Sequence, residues 1–198
     1  GGQGRIKPDL LSTGTAVLAA FSRGEWDYNE AEGLGNPQPS YIMEVDEYRY
    51  QVLGPGQDDR PDYQYMQGTS MACPAAAGMY LLVREYFNEV HGISAVNSQL
   101  AKATLINGAD RMNPLLFKFP GYDQGWGRIN LKNSLFPDAP RTNQFEEGTM
   151  TTTSVWNPSV INLNVVSADV PLQATLTWVD TSGVNLARNL DLQLVSPS

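Results

Sequence analysis

Histidine and cysteine are almost missing from this chain of 198 residues, which has one of each, His91 and Cys73. A single cysteine excludes an internal disulfide framework, and together with a single histidine it excludes the Cys/His clusters of zinc sites. Cys73 is expected to serve as a small packing residue, since no histidine is placed to activate its thiol. No apolar run is long enough to span a bilayer, so no membrane partner is expected. Basic residues are also few, 13 against 21 acidic, for a formal net charge of −8. A chain this acidic repels phosphate backbones, and nucleic acid is not an expected partner either.

The acidity is local. Residues 24–62 hold ten carboxylates (Glu25, Asp27, Glu30, Glu32, Glu44, Asp46, Glu47, Asp58, Asp59, Asp62) against Arg49 and Arg60, which accounts for the whole net charge. Gly33, Gly35, Pro37, Pro39, Pro55 and Gly56 punctuate the stretch as in a surface loop, with short strands expected at 41–43 and 48–52. It lies between a strand-like run at 16–21 and an approach strand at 63–66. Such a loop would shape substrate choice, hold Ca²⁺ through oxygen ligands, or form a solvated acidic surface.

What the chain does have is Gly68-Thr69-Ser70-Met71-Ala72-Cys73-Pro74. Gly68 permits a sharp turn, Thr69 or Ser70 can cap a helix, and Pro74 is tolerable near a helix start. From Ala75 to Tyr86 the residues are almost all apolar or small, which predicts a helix buried on every side. Ser70 then lies where loop meets helix, beside backbone donors and the positive end of the dipole. That position suits a nucleophile whose attack creates an oxyanion. The plain alternative is a serine that only caps a core helix.

Residues 68–74 resemble the G-T-S-M-A-x-P box of subtilisin-like serine proteases. Gly4-Arg5-Ile6-Lys7-Pro8-Asp9-Leu10 resembles the strand that precedes an A-P-G turn in that family, although Ser12-Thr13-Gly14 keeps only the glycine. Leu100 to Ala109 resembles the next family helix and its exit. Gly125-Trp126-Gly127-Arg128-Ile129-Asn130 resembles the segment that closes the catalytic domain. The landmarks stand in the family's order and cover residues 4–137. The resemblance implies Ser70 as nucleophile and backbone oxyanion donor, with Gly68 and Thr69 holding its turn.

A serine hydroxyl needs a base and a carboxylate that orients the base. In this family both precede the serine, yet no histidine lies before Ser70. His91 reads as the end of the nucleophile helix, with Gly92 as its left-handed stop. The family's asparagine oxyanion donor also lies upstream of the matched region. The chain opens without an initiator Met or a secretory h-region and stops on alternating Leu190, Leu192 and Leu194. Both ends read as cut. The chain alone is therefore expected not to hydrolyse peptides.

Beyond a linker at 137–140 the character changes. Leu172, Ala174, Leu176 and Trp178 alternate with polar residues, as in a half-buried antiparallel strand. Residues 160–166 and 190–195 are similarly β-rich. The segments at 176–180 and 189–192 resemble the W-x-D and N-D-L-D-L motifs of the jelly-roll domain in some bacterial subtilases, with Arg188 and Asn189 as departures. Those sandwiches often bind calcium, which makes Asp180 and Asp191 implied metal ligands.

The expected architecture is α/β: residues 1–137 as the C-terminal portion of a subtilisin-like three-layer domain, then the start of an antiparallel β-sandwich over 138–198. The expected function is serine endopeptidase in a longer protein, acting on protein or peptide substrates, extracellular or periplasmic by family. A non-catalytic binding module that self-associates through an uncovered helix face is the alternative. A sedolisin-type protease fits less well, given Met71 and the closing segment.

Overall fold

The strand-like run at 16–21 and the approach segment at 63–66 both form strands. In a computed structural model of the chain, β1 is Val17–Ala20 and β2 is Tyr63–Met66. The structure describes residues 6–20, 63–148, 161–165, 167, 169–179 and 190–195. The acidic segment 24–62, its two expected strands and Asp180 lie outside the described residues. Strands β1 and β2 pair antiparallel, with Val17 opposite Met66 and Ala20 opposite Tyr63. The layers of the expected three-layer α/β portion are not found among the described residues, where this antiparallel pair is the one strand ladder. Parallel strands need a crossover element between them, and no described helix lies between β1 and β2.

The chain divides into two compact units, Ser12–Ala77 and a second made of Gly1–Leu11 with Gly78–Ser198. The first holds the β1–β2 pair and the opening turns of helix α1, Thr69–His91. The second holds the rest of α1, then α2 at Ser98–Asn107 and α3 at Leu131–Leu135. Its core is Val83, Phe87, Val96, Leu100, Ala101, Leu105, Ile129 and Leu135.

Helix α1 departs from expectation. Only Val83 and Phe87 are buried along it, four residues apart on one stripe, while Ala75, Ala77, Gly78, Leu81 and Leu82 are exposed. A helix apolar all round needs cover all round, and the described residues cover one stripe. Its end is as expected. Gly92 takes φ +69°, its N–H donates to Asn88 O at 3.1 Å, and Ile93 N–H donates to Phe87 O at 3.0 Å.

The N-cap of α2 is Asn97, whose side chain accepts from Leu100 N–H at 2.8 Å. The sequence predicts a helix that starts at Asn97-Ser98-Gln99, carries a stripe of Leu100, Ala103, Thr104 and Asn107, and ends at Gly108, but the buried stripe is Leu100, Ala101 and Leu105. Residues 171–179 explain the rotation: Thr175 Oγ1 donates to Asn107 Oδ1 at 2.9 Å, and Thr177 Oγ1 to Gln99 O at 2.8 Å. The polar face of that segment meets α2, which leaves Leu172, Ala174 and Leu176 exposed. Of the expected apolar face only Trp178 is half-buried, while Thr175 and Thr177, whose hydroxyls find acceptors on the helix, are half-buried as well and Gln173 is exposed. No strand forms at 161–165, 171–179 or 190–195, so the described residues build no β-sandwich. Alternation defines two faces, but a sheet requires a paired neighbour.

The segment Gly125–Asn130 fastens this unit. Trp126 N–H donates to Asp9 O at 2.8 Å, Leu11 N–H to Gly127 O at 2.9 Å, and Ile129 N–H to Leu11 O at 3.0 Å. On its other side, Arg128 and Asp110 exchange both backbone bonds at 2.8 Å. The Asp110 carboxylate also accepts from Asn130 Nδ2 at 3.1 Å, Asn133 Nδ2 at 3.1 Å and Arg128 at 3.3 Å. Gln124, 1% exposed, spans the loop before this segment. It accepts from Met112 N–H at 2.8 Å and donates to Lys118 O at 3.0 Å.

Two predictions follow from these contacts. A Cβ on Gly108 would lie 2.5 Å from Ser134 Cα, where α2 meets α3, so Gly108→Ala should cost about 1–3 kcal/mol in a denaturant melt. Asp9 is raised by burial, but its bonds from Lys102 (2.8 Å) and Lys7 outweigh this and hold its pKa below the ordinary 3.8. A depressed folded pKa gives stability that is present above the unfolded value and lost as pH falls through the folded one. The melting-temperature gap between wild type and Asp9→Asn should therefore be full at pH 7 and close progressively below about pH 4.

Candidate active site

Gly68 closes the turn that presents Ser70. It takes φ +140°, donates its N–H to Gly14 O at 2.7 Å, and its own carbonyl accepts from Met71 N–H at 3.1 Å and Ala72 N–H at 3.3 Å. Gly68 is thus the N-cap, because an N-cap carbonyl accepts the first bonds of its helix. The expected cap by Thr69 or Ser70 does not form, since both already belong to α1. Ser70 is exposed, and no described residue takes its hydroxyl. Gly68 O takes the N–H groups of Met71 and Ala72, whereas those of Thr69 and Ser70 have no acceptor within the helix and remain as donors beside this hydroxyl where an oxyanion could form.

The neighbours of Ser70 reinforce the placement. Pro74 lies inside α1, past the first turn where it is expected to be harmless, and lacks the N–H that would bond to Ser70 O. Between Gly14 and β1 the chain bends at Thr15 and Ala16, with Ala16 at φ +54°. A left-handed non-glycine residue costs on the order of 1 kcal/mol or more and persists only where its surroundings enforce it. Cys73 is exposed, which corrects the expected packing role.

The structure brings no base to Ser70 among the described residues. His91 lies at the other end of α1, about six turns on by the 3.6-residue repeat. Its Nε2 is 3.2 Å from Tyr86 Oη, and its ring stacks edge-on against Tyr86 and Phe145 at 5.1 and 5.0 Å. That is an aromatic packing role at a helix end. Asp191 is exposed and Asp180 lies outside the described residues, while no three His, Cys, Asp or Glu come together among those described. Calcium wants six to eight oxygens, and Asp191 by itself does not make that site.

Sequence reasoning missed the closest partner of the serine turn, Gly14. A Cβ there would stand 2.6 Å from Gly68 O and 3.1 Å from Ala72 Cβ. The available signal was that Gly14 alone survives of the A-P-G turn.

Comparison with known proteins supplies the family. Residues 2–144 match the subtilase family, peptidase S8. A protein of Dictyostelium discoideum described as "Serine protease/ABC transporter B family protein tagA" is 26% identical over 212 aligned residues. That alignment takes in 98% of this chain and 11% of the relative, so the chain spans about a tenth of that protein's length. With most of its residues inside the family match and Ser70 on its glycine-closed helical turn, the chain belongs to the subtilase family.

Proposed function

We propose that this chain carries the nucleophile of a subtilisin-like serine endopeptidase that acts on proteins or peptides, and that Ser70 is that nucleophile. The observation that supports it is the exposed serine on the first turn of α1, held by Gly68, inside the matched segment. In this reading Ser70 Oγ bonds to the scissile carbonyl carbon while its proton passes to a histidine outside this chain. The oxyanion is met by the Ser70 N–H and a side-chain amide from the same upstream region. Collapse breaks the C–N bond, the amine leaves with the proton, and water then cleaves the acyl ester and restores the hydroxyl.

The base and its orienting aspartate come from residues upstream in the longer protein, so the chain alone binds or scaffolds without turning over. Export from the cell belongs to the same reading, as the family is typically secreted; no described helix is long and apolar enough to cross a membrane.

Fluorophosphonate labelling tests this directly, since Ser70 Oγ would form a bond to phosphorus as fluoride leaves. The chain alone should stay unlabelled, the protein extended upstream should label at Ser70, and Ser70→Ala in that protein should lose on the order of 10⁴-fold or more in kcat/KM. Persistence of activity in Ser70→Ala overturns the nucleophile assignment, and labelling of the chain alone overturns the requirement for an upstream base.

A second reading, a self-associating binding module, is favoured by the exposure of Leu81 at 60% and Leu82 at 48% on α1. It requires a dimer mass in analytical ultracentrifugation that Leu81→Asp returns to monomer.

A further inference from the structure

We infer that Gly14 is a positioning residue for Ser70, setting the turn that carries the hydroxyl without touching substrate. The inference rests on the assignment of Ser70 as nucleophile. Three contacts converge on one backbone position. The Gly14 carbonyl accepts from Gly68 N–H at 2.7 Å, and a Cβ on Gly14 would stand 2.6 Å from Gly68 O and 3.1 Å from Ala72 Cβ. Gly68 O is the acceptor for the N–H groups of Met71 and Ala72, at 3.1 and 3.3 Å. Gly14 therefore presses on the atom that closes the first turn of α1, while its own carbonyl holds the other side of the same peptide chain.

The glycine is required for space, because its φ is not in the left-handed region. A methyl at position 14 meets a backbone carbonyl and a helical Cβ, neither of which can swing aside as a long side chain could. Gly68 O must retreat, the capping bonds lengthen, and Ser70 moves with its turn. The bend at Thr15 and Ala16, with Ala16 at φ +54°, leads directly from Gly14 into β1. Since β1 is itself paired with β2, which leads into Gly68, the loop on which Gly14 sits is tied to the serine turn at its β1 end. The pairing resists its drifting away from the helix. A displacement near 1 Å at a reacting group costs about 10²-fold in rate, so an effect of roughly 10- to 100-fold is expected from one methyl.

The control is Gly78, a glycine within α1, where an added Cβ meets nothing within 4 Å. In the catalytically competent longer protein, Gly14→Ala should lower kcat and the rate of fluorophosphonate inactivation by about 10- to 100-fold. KM should stay within about twofold, and the acid limb of the pH profile should not move, since geometry changes and the base does not. Gly78→Ala should behave as wild type. In ¹⁵N spectra of the present chain, Gly14→Ala should shift the amides of Gly68, Ser70, Met71 and Ala72 and leave those of Gly108 and Gly125 in place. Should Gly14→Ala fail to fold, Ala72→Val crowds the same gap from the helix side and should lower the inactivation rate in the same sense.

If either folded variant matches Gly78→Ala in rate and leaves the Gly68–Ala72 amides unmoved while Ser70→Ala is dead, the positioning role is overturned and the nucleophile stands. If Ser70→Ala itself keeps its activity, the nucleophile assignment has failed instead.

Discussion

The carbonyl oxygens of Pro8 and Asp9 lie so close to Gly125 that a Cβ there would overlap both, 2.5 Å from the Asp9 oxygen. The same kind of approach recurs between Gly127 and Asp110 O, Gly108 and Ser134, and Gly14 and Gly68 O. Backbone packed on backbone without an intervening side chain is what lets segments far apart in sequence exchange main-chain hydrogen bonds in this chain. Residues 8–11 reach Gly125–Ile129 this way, and the turn of Ser70 reaches Gly14. The apolar core is small, eight buried residues among those described, so these close contacts carry much of the work of holding elements in register.

The strengths of the two arrangements differ in kind. At Gly125 and Gly127 the positive φ values of 59° and 113° add a conformational demand to the spatial one. At Gly14 only the spatial demand applies. The first pair keeps the unit assembled; the second sets a turn. Polar side chains then lock what the glycines permit. Asp110 gathers three donors from Arg128, Asn130 and Asn133, and the buried Gln124 supplies partners to the backbone of Met112 and Lys118 in a largely exposed loop. A buried amide with both ends bonded costs little, whereas one left open would be expensive.

Much of the local structure was legible in sequence. The helix of Ser70, its stop at Gly92, the cap at Asn97 and both strands followed from capping chemistry and composition. Pairing and burial were not. The apolar stretch from Ala75 to Tyr86 signals what the helix would like to bury, and says nothing of whether cover is present. The alternation of residues 172–178 marked two faces without showing what would cover them: Thr175 and Thr177 found acceptors on α2, and of the apolar face only Trp178 is half-buried. In the candidate site, Ser70 and Gly68 were read from the box itself, whereas Gly14 needed distances: its neighbour is 54 positions away in the chain.

One feature of the serine helix has a practical side. Cys73 is the chain's single cysteine and is exposed three residues beyond Ser70. A thiol-directed fluorophore or spin label can therefore be attached at one defined point, with no background from other cysteines. Because that point lies within a turn of the hydroxyl, the label's environment would report arrival of a peptide or a neighbouring segment at the site, in equilibrium and without any chemical turnover.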